Sequence, residues 1–226
     1  MKHDTIRATV SPETISKVTR LFNGTIGDIL NELLQNARRA GASGVDVDAM
    51  PVENGLRVTI ADDGCGIDDP ARVLALGASR WDAAVANGED PAGMGVFSLA
   101  GKATTIESLS DSTGSAWRIE IPADAWSGDV EIAVDRSERR KGTSISFLLP
   151  GACKGLVENA VRDASQYYPI PVQFAGREMP RKDFLSGAIH VEEWNGSRIG
   201  IFQGQPYHWT PTVNFHGVTI SSRLFE

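Results

Sequence analysis

From Thr25 to Gly41, apolar residues fall at Ile26, Ile29, Leu30, Leu33, Leu34 and Ala37. Steps of three and four predict a helix with one buried face. An earlier helix is expected from Ser11 to about Phe22, because a serine caps free amides and Pro12 suits the first helical position. Alternation then replaces helical spacing. Val45, Val47 and Ala49, then Leu56, Val58 and Ile60, predict two paired strands joined by a turn in PVENG, with Asp62 where the second strand ends. Small and polar residues from Gly77 to Ala92 read as a loop, and a short helix is expected to carry VFSLAGK from Gly93. Strand patterns recur at 104–109, 116–121, 130–134 and 143–149. A helix at Leu156 to Tyr167, broken by Pro169 and Pro171, precedes shorter strands at 172–174, 189–194, 198–202 and 218–220. Helices gather early and strands late, which predicts an α+β fold with helices on one face of a mostly antiparallel sheet.

Totals add little to this picture but exclude several classes. The chain has 226 residues and ordinary hydrophobic and charged content, so neither disorder nor a fibrous repeat is suggested. A net charge of −7 offers no general footprint for a nucleic-acid backbone, and ARRAG and SERRKG read as solvated basic surface. Two cysteines are too few for a disulfide framework, and a reduced cytoplasm is the expected setting. MKHDTIRATV lacks the apolar stretch of a signal peptide, and no run approaches the ~18 apolar residues of a bilayer span.

Four short motifs carry candidate chemistry. Glu32 and Asn36 in ELLQN lie on one side of their helix, beside the apolar arc. A carboxylate shielded at the core edge suits a general base, and a neutral amide oxygen suits a magnesium that keeps most of its waters. Asp62 in DDGCG ends a strand and is followed by Gly64 and Gly66, so its carboxylate projects into a turn with little bulk. It would accept a hydrogen bond from the exocyclic amine of adenine while the glycines admit the base. The run lacks the alternating oxygen ligands of a calcium loop. Gly93, Met94 and Gly95 precede a helix, whose free amides attract phosphate oxygens. Gly142 and Thr143 start a strand, where the threonine hydroxyl would share a base-bound water with Asp62. No GxxxxGK[ST] run is present, so the common P-loop is absent.

In this order the motifs resemble the GHKL superfamily of gyrase, heat-shock chaperone, histidine kinase and MutL-type ATPases. ELLQNARRAGA resembles its N-box, ADDGCGI and PAGMGVFSL its two glycine boxes, and RKGTSISFLL its last motif. The resemblance spans Glu32 to Leu149 and implies a Bergerat-type two-layer α/β sandwich binding ATP and Mg2+. It makes Glu32 the base that activates water, Asn36 the magnesium ligand and Asp62 the adenine contact. Ala40, Gly64, Gly66 and Ile67 would line the base, Gly93, Met94, Gly95, Val96 and Phe97 would meet the phosphates, and Thr143 would complete the adenine end. The loop at 77–92 would be the family's ATP lid.

Residues 1–155 are expected to form the ATP-binding unit, and residues 156–226 a helix and strands leading into an incomplete second domain. The glutamate at 32 resembles the ATPases rather than the kinases, and RDASQYYPIPVQF resembles the end of a chaperone-type nucleotide domain. The resulting expectation is slow ATP hydrolysis driving lid closure and a conformational change or homodimerisation, on behalf of a protein client or partner. The alternative is a histidine-kinase-like or anti-sigma-like domain that passes the γ-phosphate to a partner protein. Asp90 stands where the family often has another glycine, and Arg177, Arg181, Lys182 and Arg198 are candidates for a γ-phosphate contact.

Overall fold

A computed structural model describes residues 25–74, 95–127, 130–203 and 212–220. The expected helix at 11–22 and the expected lid at 77–92 lie outside these residues.

Helix α1 (Ile26–Arg39) starts where its spacing predicts, with Thr25 as its cap. The Thr25 Oγ1 accepts from the Asp28 amide at 3.3 Å, and Asp28 Oδ2 accepts the Thr25 amide at 2.7 Å, so two donors at the helix start are satisfied reciprocally. Ile29, Leu30, Leu33 and Leu34 are buried, each contributing about 1.5–3 kcal/mol on leaving water.

Strands β1 (Val45–Val52) and β2 (Gly55–Asp62) form a hairpin whose two-residue loop is Glu53 and Asn54. The turn is tighter than expected, because Pro51 and Val52 continue the ladder opposite Leu56 and Gly55. Strands β3 (Thr104–Leu109), β4 (Ala116–Ile121) and β6 (Thr143–Leu149) match their patterns. Strand β5 is Val134–Arg136 rather than 130–134, since pairing with β4 starts at Val134 opposite Ile119.

The helix at Lys154–Ser165, α2, buries Val157, Val161 and Ala164. It is followed by β7 (Val172–Phe174) and β8 (Arg177–Glu178). Expected to lie in a second unit from residue 156, α2, β7 and β8 instead join the same sheet and core. The reason is topological: β7 runs parallel to β1, and parallel strands need a crossover of a dozen or more residues, which α2 provides. The eight-stranded sheet has the order β5-β4-β3-β6-β2-β1-β7-β8, antiparallel except at β1 and β7.

Alternate strand residues such as Val45, Val47, Val58, Ile60, Ile106 and Ile145 share one hydrophobic core with the apolar residues of both helices. Tyr168 donates its hydroxyl to the Leu34 carbonyl, tying the segment after α2 to α1. Burial pushes that phenol above its usual range. Beyond this core, β9 (His190–Trp194) pairs with β10 (Ser197–Ile201), and β11 (Val213–Phe215) pairs with β12 (Val218–Ile220). The tip of the second hairpin meets α1, where Gln35 Nε2 donates to the His216 carbonyl at 2.8 Å. No helix among the described residues is long and apolar enough to cross a membrane.

Candidate functional site

Three of the four motifs converge at one end of the sheet. Asp62 follows the buried Ile60 by two residues and pairs with the buried Val45, so its side chain falls on the core side of the strand end. There Asp62 Oδ1 accepts the amides of Gly64 at 2.9 Å and Thr143 at 3.3 Å. Asp62 Oδ2 has no hydrogen-bond donor among the described residues. Burial raises the proton affinity of the Asp62 carboxyl, and the Gly64 and Thr143 amides and the Arg139 charge oppose that rise.

The glycine positions show how the first box is packed. An ideal Cβ on Gly64 would stand 2.7 Å from both the Cβ and the carbonyl oxygen of Ala40, and the Cys65 amide donates to that carbonyl at 2.9 Å. The end of α1 therefore seats directly on the loop after Asp62. Gly66 has φ +73°, and a Cβ there would lie 1.7 Å from the Leu109 carbonyl oxygen. Gly66→Ala is accordingly expected to cost at least about 1–2 kcal/mol for the left-handed backbone alone, with the clash added. Urea unfolding measures this, and a parental midpoint would show that the loop is not held against β3.

Ile67 is fixed from two sides. Its amide donates to Ser108 Oγ at 2.8 Å, and its carbonyl accepts Trp117 Nε1 at 2.8 Å. Ser108 Oγ also lies 3.0 Å from Thr143 Oγ1, so Asp62, Thr143 and Ser108 form a polar row across β2, β6 and β3. The Thr143 hydroxyl, expected to share a water with Asp62, is buried against Ser108, and it is the Thr143 amide that reaches the carboxylate.

Asn36 stands one turn and Glu32 two turns before Ala40, about 6 and 12 Å back along the helix axis. Glu32 is exposed, not shielded at the core edge as its position beside the apolar arc predicts. Asn36 is half-buried, and its Oδ1 accepts from Arg39 Nη1 at a long 3.4 Å. The second glycine box forms a 3-10 helix, Gly95–Leu99, packed against α1 with Val96 half-buried. At five residues it has too few aligned peptides for the dipole of a full α-helix, so its attraction for phosphate would rest on individual amides. Gly93 and Met94 lie outside the described residues, and for Phe97 only the backbone is described.

Asp63 performs a different task from its neighbour. It accepts the Ser43 amide and hydroxyl, the Gly44 amide and Lys141 Nζ, locking the loop between α1 and β1 to the strand end. The Ser43 hydroxyl and Lys141 hold its carboxyl well below the usual range. Burial, with Asp111, Asp62 and Asp68 nearby, pushes the exposed Cys65 thiol up.

Sequence reasoning missed Ser108, Trp117, Gln35 and Arg139. Ser108 left a signal, a small polar residue in an inward position after Thr104 and Ile106. Arg139 left none, being part of SERRKG. Arg177, Arg181, Lys182 and Arg198 are exposed and bonded to Glu158, Glu178, Gln166 and Asp183 respectively.

Two clefts flank these elements. One of about 420 Å³ between the start of α1, α2 and the β11-β12 hairpin contains none of the expected site residues. Another of about 350 Å³ is lined by Asp62 and Arg139 with Asp46, Ala61 and Gln173, one row on the outer face of the sheet.

The conserved profile of the histidine kinase-, DNA gyrase B- and HSP90-like ATPase family matches residues 24–152, and the chain belongs to that family. The matched segment runs from the α1 cap through β6 and includes all four motifs. Membership implies ATP binding by a domain of the ATPase and kinase type. Comparison with curated proteins finds no match.

Proposed function

We propose that this protein binds Mg-ATP and hydrolyses it slowly, as a member of the chaperone- and MutL-like branches, and uses the nucleotide to drive lid closure and a conformational change or homodimerisation. The observation that carries the reading is the state of Asp62: one carboxylate oxygen is held by two amides, and the other has no donor among the described residues. That is an acceptor built for an amine, and the exocyclic amine of adenine supplies one.

With the base there, a triphosphate laid along α1 runs from the Ala40 end toward Asn36 and Glu32. Asn36 would hold a magnesium after releasing Arg39, and the metal would neutralise phosphate charge. Among the described residues no cluster of three or more His, Cys, Asp or Glu side chains forms a metal site. A magnesium bound mainly by phosphates and water needs none. Glu32, exposed in this state, would act as general base on a water held at the γ-phosphate end. Val96 and the amides of 93–97 would contact phosphate, and Ile67 and Thr143 would complete the base pocket. The unidentified client or partner protein and a cytoplasmic setting belong to the same reading.

Incubation with γ-labelled ATP and magnesium tests it. Label released as inorganic phosphate, with none on protein, is the expected result. A stable phosphoprotein would overturn it in favour of the histidine-kinase-like or anti-sigma-like alternative.

A further inference from the structure

Arg139 stands in a stretch whose charges read as solvated, yet its side chain is half-buried and occupied. Its Nε donates to the Gly142 carbonyl at 3.1 Å, and its Nη2 donates to the carbonyls of Asp62 at 2.9 Å and Thr143 at 2.8 Å. Asp62 ends β2, Thr143 starts β6 and Gly142 immediately precedes it. The register of β2 with β6 runs from Leu56 opposite Leu149 to Ala61 opposite Ser144, one residue short of Asp62 and Thr143. Past that point Arg139 and the Asp62 carboxylate join the two strand ends, with the Lys141–Asp63 ion pair one step further out.

We infer that Arg139 is a positioning residue for base recognition, holding the backbone of Asp62 and Thr143 so that Asp62 Oδ2 stays aimed at a purine amine. This rests on the reading of Asp62 as the adenine acceptor. The planar guanidinium spreads its donors in a fixed fork, which lets one side chain reach carbonyls on both strands. A lysine has a point charge and no fork. Backbone fixation matters because Asp62 Oδ1 meets the Thr143 amide at 3.3 Å, near the outer limit of a useful bond. A small rotation of either strand end would lose that bond and turn the carboxylate. Arg139 is itself supported, since its amide donates to Ser137 Oγ at 3.1 Å and that hydroxyl donates to Glu107 Oε1 at 3.2 Å. Burial works against the guanidinium charge, and the carboxylates of Asp62 and Glu107 support it.

The test compares two ligands that differ only at the amine: ADP, and the diphosphate of unsubstituted purine riboside. Calorimetry gives a Kd for each with parent, Arg139→Met and Arg139→Lys proteins, and thermal unfolding checks that each variant folds. The parent is expected to prefer ADP by about 10-fold or more, as for a hydrogen bond to a charged acceptor. Arg139→Met is expected to bring the ratio within about 3-fold of unity while the purine analogue binds as before. Arg139→Lys, which keeps the charge, is expected to lose most of the ratio too, and it decides the matter if the methionine variant does not fold. Discrimination retained in a folded variant overturns the inference and leaves Arg139 a structural clamp. A parent that binds both ligands alike overturns the adenine reading, and the inference falls with it.

Discussion

Glu32→Ala is expected to lower kcat for ATP hydrolysis by about 10²–10⁴-fold, the usual contribution of a positioned general base, while the Kd for ATP is expected to move by less than about 3-fold. The asymmetry follows from where the residue sits. Glu32 is exposed on α1 two turns from Ala40, outside the hydrophobic face, so removing its carboxylate empties no core space. On the proposed reading it takes no part in the base pocket around Asp62. Paired measurements of phosphate release and of nucleotide binding by calorimetry check both halves. Turnover at the parental rate in a variant that still binds ATP would remove Glu32 from the mechanism. Glu32→Gln tests the same point with the shape retained, and it too is expected to bind without turning over.

Asp62→Asn is the second large effect, and it separates function from stability. An asparagine retains an oxygen that accepts the Gly64 and Thr143 amides, but it presents an NH2 group where Asp62 Oδ2 stood. On the proposed reading, two donors would then face each other where adenine binds. Loss of a hydrogen bond to a charged acceptor, worth about 1.5–3 kcal/mol, is expected to weaken ADP binding by about 10- to 100-fold. Stability moves the other way. Because the folded carboxyl has its pKa raised above the ordinary 3.8, chiefly by burial, the folded state holds the proton more tightly than the unfolded chain. The contribution of this group is therefore fully present below pH 3.8 and is lost as pH rises through the folded value. At neutral pH the buried charge is a net cost that the asparagine variant does not carry. Urea midpoints measured on both proteins across that range are expected to shift in favour of Asp62→Asn as pH rises. A variant that binds ADP like the parent, or loses ground in stability as pH rises, would contradict the assignment of the carboxylate.

Much of the fold was legible because local spacing and burial agree. The helix from Ile26 to Arg39 and the strands at 45–52, 55–62, 104–109, 116–121 and 143–149 follow from apolar periodicity, since each needs only one face to be covered. The helix after Pro150 was equally visible, but its place was not. Whether α2 opens a second unit or crosses over to deliver β7 beside β1 depends on a parallel pairing between Val45 and Val172. No local pattern encodes which distant strand a segment will join.

The same division runs through the site. The residue types were readable, since a strand-ending aspartate flanked by glycines, a Glu and Asn one turn apart and a GT strand start are local facts, and the family profile covers the same stretch. Contacts were not readable. Thr143 reaches Asp62 with its amide while its hydroxyl serves Ser108, and Arg139 leaves the apparent surface to bridge two strand ends. The sequence by itself determined which residues form each element and which of them are chemically fit for a nucleotide, because propensity and spacing act over a few residues. Only the tertiary structure decided which oxygen of Asp62 is held and which is open, because that depends on carbonyls and amides brought together from strands far apart in the chain.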